Sequence, residues 1–159
     1  MNAIKLSILA AVAVLFSGCR TGDCPPGPGP GPMSHVARRI VGDMVTDPVF
    51  KEYYKKIAKR AKTRGTDKPT ITVGDLEVNE RGYSDYMLSP LRDDLLVALR
   101  KTGYFSVKDS DISESADFVL SGKMGKTPDG KVWRVKMSLH DIARDNEEVW
   151  NNIVEIGED

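Results

Sequence analysis

The chain has 159 residues, with 23 basic and 23 acidic side chains. A balance this even excludes a general nucleic-acid binder, which carries a clear basic surplus. The two histidines, His35 and His140, and the two cysteines, Cys19 and Cys24, show no metal-ligand spacing, so neither a structural zinc nor any other metal is expected.

Met1 to Lys5 carries one positive charge, and Leu6 to Phe16 is apolar apart from Ser7, the pattern of a secretory leader. The apolar run is too short to cross a hydrocarbon core of about 30 Å as a helix. Ser17 and Gly18 before Cys19 resemble the lipobox of bacterial lipoproteins, with Phe16 and Leu15 where the consensus has leucine. The resemblance implies cleavage after Gly18 and acylation of the Cys19 thiol. The alternative is a soluble exported protein cut nearby. Two or three acyl chains hold a protein at a membrane durably, where one alone does not. Arg20 replaces the acidic residue associated with inner-membrane retention, which favours the outer membrane, facing the periplasm.

Without the leader and its one charge, Lys5, the chain has 22 basic against 23 acidic residues. Cys24 is then a lone thiol that pairs between molecules or stays free, and it cannot staple the fold. From Pro25 to Pro32 proline and glycine alternate, which offers no core side chains and no helix or central strand. This is a tether, and the span from Arg20 to Met33 reaches at most roughly 40 Å at about 3.1 Å per residue. The expected organisation is a signal peptide over 1–18, a lipidated N-terminus and tether over 19–33, and one globular domain over 34–159.

In that domain Val36, Ala37, Ile40, Val41, Met44 and Val45 recur at helical spacing, with Ser34 placed to cap. Asp47 and Pro48 supply the cap and first turn of a second helix. Its Phe50, Tyr53, Tyr54, Ile57, Ala58 and Ala61 face one way. Lys51, Lys55, Lys56, Lys59, Arg60, Lys62 and Arg64 face the other, and Lys51 to Lys68 holds 8 basic against 2 acidic residues. This face, with Lys51, Lys55, Lys59 and Lys62 as its contacts, suits anionic lipid, wall polymer or an acidic protein. It is equally a solvated helix face.

Thr70 to Val78 reads as a strand with a kink at Gly74-Asp75, and Asn79 to Ser89 as a polar loop. Ser89-Pro90 opens a helix that faces Leu91, Leu95, Leu96, Ala98 and Leu99 inward and stops at Gly103. Tyr104 to Val107 is a short strand completing a strand-helix-strand crossover, right-handed if the strands are parallel. Ala116 to Met124 is another strand, and Thr127 to Gly130 a turn. Trp133, Val135, Met137 and Leu139 alternate with polar neighbours in a strand with one buried face, and Val149 to Ile156 returns beside it with Trp150, Val154 and Ile156 inward. The expected class is α/β: a small mixed sheet flanked by helices, a crossover followed by an antiparallel meander.

The sequence offers no catalytic set and calls for no cofactor. It has neither a Gly-x-Ser-x-Gly elbow nor a Ser-x-x-Lys pair. Gly125-Lys126-Thr127 mimics the end of a phosphate-binding loop, but Leu120 stands where its first glycine is needed. His140 falls on the outward period of its strand, and Asp93 and Asp94 flank a helix as surface acids. Trp133 and Trp150 read as cross-strand packing before a ligand groove.

A tethered domain without catalytic residues acts by binding. Pro69 to Val78, then Leu88 to Gly103 ending in Leu-x-x-x-Gly-x-Phe, then Ala116-Asp117-Phe118-Val119-Leu120-Ser121-Gly122 resemble the penicillin-binding-protein activator family of the LpoB type. Leu139-His140-Asp141 and Glu148-Val149-Trp150 fit as well. The resemblance covers most of Met33 to Ile156. It implies an outer-membrane lipoprotein, not an enzyme, that binds a bifunctional peptidoglycan synthase and stimulates its glycosyltransferase and transpeptidase activities.

The contact surface is expected around Asn79 to Ser89, where Arg81, Tyr83, Tyr86 and nearby Arg92 offer the aromatic and arginine mix of binding hot spots. Tyr83 and Tyr86 could equally cover the adjoining helix. The activator reading implies a monomeric domain. The competing reading is a structural or assembly lipoprotein of the curli-secretion or flagellar type, in which self-association dominates.

Overall fold

The computed structural model describes residues 33–79, 84–109 and 116–157. Three helices, α1 (Ser34–Thr46), α2 (Pro48–Thr63) and α3 (Ser84–Thr102), accompany five strands. These are β1 (Thr70–Val78), β2 (Ser106–Val107), β3 (Phe118–Lys126), β4 (Val132–Asp141) and β5 (Glu147–Gly157). They form one sheet in the order β2-β1-β3-β4-β5. β1 is parallel to both β2 and β3, while β3-β4 and β4-β5 are antiparallel. The fold is therefore the expected mixed α/β crossover and meander.

α1 buries Val36, Ala37, Ile40, Val41 and Met44, as its spacing predicts. Ser34 does not cap it. The N-cap is Met33, without a side-chain bond, and the Met33 backbone N–H donates instead to Asp94 Oδ2 of α3 at 3.1 Å. The Asp47 carboxylate accepts from the Phe50 N–H at 2.9 Å and Pro48 fills the first turn, so α2 starts where the sequence places it. Phe50, Tyr54, Tyr104, Phe105 and Phe118 then form a chain of tilted and edge-on rings between α2 and the sheet. The Tyr54 hydroxyl finds the Tyr104 carbonyl at 2.6 Å.

α3 begins at Ser84, five residues before the expected start, with Pro90 inside it. Pro90 lacks the N–H that would bond one turn back, yet the turn before it remains helical. Leu91, Leu95, Leu96, Ala98 and Leu99 are buried as predicted, and Gly103 ends the helix at φ +71°. The kink in β1 is a register shift between Val73 and Leu76 against β3. A Cβ on Gly74 would stand 2.6 Å from Val119 Cγ1, so the bulge needs glycine there.

The inward period of β4 continues through Trp133, Val135, Met137 and Leu139 into Asp141. Trp133 and Trp150 are buried in the core, but they are not cross-strand partners: Trp133 faces Ile156 and Trp150 faces Leu139. The core cluster draws on residues from Met33 to Val154, so this part of the chain carries its own interior. Among the described residues no helix is long and apolar enough to cross a membrane.

Candidate functional site

Arg60 of α2 and Arg64, the residue that caps its C-terminus, reach back to the sheet. The Arg60 guanidinium donates to Asp141 Oδ2 and the Arg64 guanidinium to Asp117 Oδ1. Asp141, fully buried, also accepts from the Tyr53 hydroxyl at 2.8 Å and the Ala143 N–H at 3.0 Å. Asp117 accepts from the Thr70 N–H at 2.8 Å and the Thr70 hydroxyl at 3.0 Å. Burial alone would raise the Asp117 carboxyl, but the Thr70 donors and Arg64 together hold it below the usual carboxylate range. Burial likewise pushes the Tyr53 phenol up, against the neighbouring Arg144 guanidinium.

Arg60 and Arg64, expected on the solvent face, instead reach from the rim of the helix to two buried acids at the strand ends, with Arg60 half-buried and Arg64 exposed. Sequence reasoning missed these pairs. The signal was present for Asp141, an acid on the inward period of an alternating strand.

The two inward ion pairs set the rotation of α2 and so aim its remaining cations. Lys51, Lys55, Lys56, Lys59 and Lys62 are all exposed. Lys55 bonds Glu52 at 2.6 Å, while among the described residues Lys51, Lys56, Lys59 and Lys62 show no ion pair. Val49, on the first turn of the same helix, is 68% exposed. The lysine face predicted from the sequence is therefore present, narrowed by the two arginines.

The sheet's other side carries a shallow polar groove of about 360 Å³. Glu77, Lys123, Lys136, Ser138, His140 and Glu148 line it, with Glu77 paired to Lys123 at 3.0 Å. His140 Nδ1 lies 3.1 Å from the Asn146 carbonyl oxygen. The Ser138 hydroxyl and then the Asn151 amide hold the Glu148 carboxyl below its ordinary range. The Ser138 hydroxyl is thus engaged by a carboxylate, and the groove reads as a charge-balanced polar surface. Among the described residues no cluster of His, Cys, Asp and Glu is arranged to hold a metal.

Of the expected partner contacts, Arg81 and Tyr83 lie outside the described residues, as do Gly18 and Cys19. Tyr86 falls in the first turn of α3, so the expected loop is partly helical there; its side chain is outside the described set. Arg92 is half-buried on the same helix, two turns on.

This arrangement is an LpoB-like fold, a mixed five-stranded sheet with its helices packed on it. The likeness is to the NMR structure of E. coli LpoB, at a TM-score of 0.51 and 13% identity, covering 88% of this chain and 76% of that one. The LpoB C-terminal domain from Salmonella enterica is also similar, at a TM-score of 0.41 and 14% identity over 66% of this chain and 95% of that one. A PelC dodecamer from Paraburkholderia phytofirmans aligns at 0.43 and 22% identity over 57% and 72%. No family model matches the sequence, and no curated protein matches it either.

Proposed function

We propose that this chain is a lipid-anchored regulator that binds a bifunctional penicillin-binding protein and stimulates it. It is held by Cys19 to the outer membrane on the periplasmic side. In this reading residues 1–18 are removed, 19–33 anchor and tether, and 34–159 bind. The observation that carries it is the likeness of fold to E. coli LpoB across most of the chain. The lipobox and the proline-glycine tether support it from the sequence.

Stimulation needs differential affinity: the domain binds the synthase's active conformation more tightly than the resting one. Arg81, Tyr83, Tyr86 and Arg92 are the contacts in this reading. The test is a pull-down from solubilised envelopes with residues 34–159 as bait, followed by a glycan polymerisation assay on any synthase recovered. Recovery of a bifunctional penicillin-binding protein whose polymerisation speeds up supports the proposal. Recovery of the bait alone overturns it. Tyr83→Ala with Tyr86→Ala weakens capture without unfolding the domain; unchanged capture removes the site assignment.

One feature favours the second reading, a self-assembling structural lipoprotein. β5 is an edge strand of 11 residues, long enough to template pairing with another copy. Sedimentation decides, since a stable ring or filament supports assembly and a monomer supports the tethered regulator.

A further inference from the structure

We infer that the outward face of α2 is a docking surface for a bilayer bearing anionic lipid headgroups. Lys51, Lys55, Lys59 and Lys62 follow one another at intervals of four, four and three residues, so they form a single stripe along the helix. The stripe is about 16 Å long at about 1.5 Å per residue. Lys56 flanks it, and Glu52 is the only acid in the helix. Its orientation is fixed, because Arg60 on the same helix and Arg64 at its C-cap are tied to Asp141 and Asp117 beneath.

Two observations favour lipid over an anionic polymer. Val49 stands two residues before Lys51, on the flank of Lys56 and roughly a third of a turn around the helix from the stripe, and is the most exposed large apolar side chain described. An apolar group at the edge of a cationic face gains from entering the headgroup boundary of a bilayer and gains nothing from a hydrated polymer. The chain also places only 13 residues between Cys19 and Met33, the residue that opens α1. A domain so tethered stays within roughly 40 Å of its membrane, where a weak contact suffices because the local concentration is high. This second argument rests on the reading of Cys19 as the anchor.

The experiment leaves out the acylated Cys19, so failure of the anchor and failure of the face are separable. Residues 33–159, which carry their own core, are incubated with vesicles of phosphatidylcholine, or of phosphatidylcholine with phosphatidylglycerol, and sedimented. Binding is expected to the anionic vesicles only, and to fall as salt is raised from low to physiological strength. Each cation brought to an anionic surface contributes about a fivefold change in partition, so K51Q/K55Q/K59Q/K62Q loses more than about a hundredfold. All four lysines are exposed, so the variant keeps its circular dichroism and melting temperature. Val49→Ser reduces binding severalfold.

Equal partition to neutral and anionic vesicles, or a quadruple variant that binds unchanged, overturns the proposal. So does retention on purified wall sacculi with no binding to vesicles, which would make the occupant a polymer.

Discussion

Arg60→Ala isolates the contact that fixes α2 on the sheet. It leaves Asp141 fully buried with the Tyr53 hydroxyl and the Ala143 N–H, but without its cation. Breaking a fully buried pair costs about 3–5 kcal/mol. Here the Arg60 side chain is 39% exposed, so water replaces part of what is lost. A charged hydrogen bond is worth about 1.5–3 kcal/mol, which sets the expectation at about 2 kcal/mol. For a domain of about 125 residues that is a melting temperature lower by about 8 °C.

The assay is urea and thermal unfolding of residues 33–159, with Lys59→Ala on the outward face as control, expected within about 0.5 kcal/mol of the parent. In an Asp141→Asn background Arg60→Ala should cost less than about 1 kcal/mol, because the charge it serves is gone. If Arg60→Ala matches Lys59→Ala, or costs the same in both backgrounds, the ion pair does not hold the helix and the argument for the fixed lysine stripe fails with it.

Asp117 gives a pH signature. Its folded carboxyl lies below the unfolded value of about 3.9, so the unfolded chain binds more protons in between; this stability is complete above that value and lost as pH falls through the folded one. Asp117→Asn is therefore destabilising near neutrality, and its gap to the parent narrows below about pH 4, read by chemical unfolding across pH. Gly42 lies within α1 with open space where a Cβ would go, so Gly42→Ala should stabilise by about 0.5–1 kcal/mol. Gly122→Ala should destabilise by about 1–3 kcal/mol, since its Cβ would fall 2.4 Å from Met137 Sδ and 3.2 Å from the Lys136 carbonyl oxygen. Cys19→Ser should abolish incorporation of labelled fatty acid and release the chain from the membrane fraction.

Periodicity carried most of the fold. The apolar spacing of α1, α2 and the central part of α3 and the alternation of β4 are local signals, and the structure buries most of the residues they name, leaving Val45, Tyr53, Tyr54 and Ala58 half-buried. The start of α3 was hidden because Ser89-Pro90 imitates a helix opening, while nothing local shows that the preceding turn continues the helix. The Ser34 cap failed for a similar reason: a distant acid, Asp94, takes the backbone contact that defines this end. Among the candidate surfaces, the lysines were legible because exposure follows from helical phase. The inward arginines were not, because their partners stand 81 and 53 residues away in the chain.

The build also gives the domain a front and a back. Val36 and Ile40 of α1, Phe50 and Ile57 of α2 and Leu95 and Leu99 of α3 all enter one core with the inward side of the sheet, and the polar groove lies on the reverse. A domain resting on a bilayer through α2 would turn the groove of Glu77, Lys136 and His140 towards open solvent. Like a plate hung on a wall, it would offer its patterned side to whatever passes, and anything bound there would leave the lysine stripe untouched. Attachment and recognition can then change independently, each within its own layer.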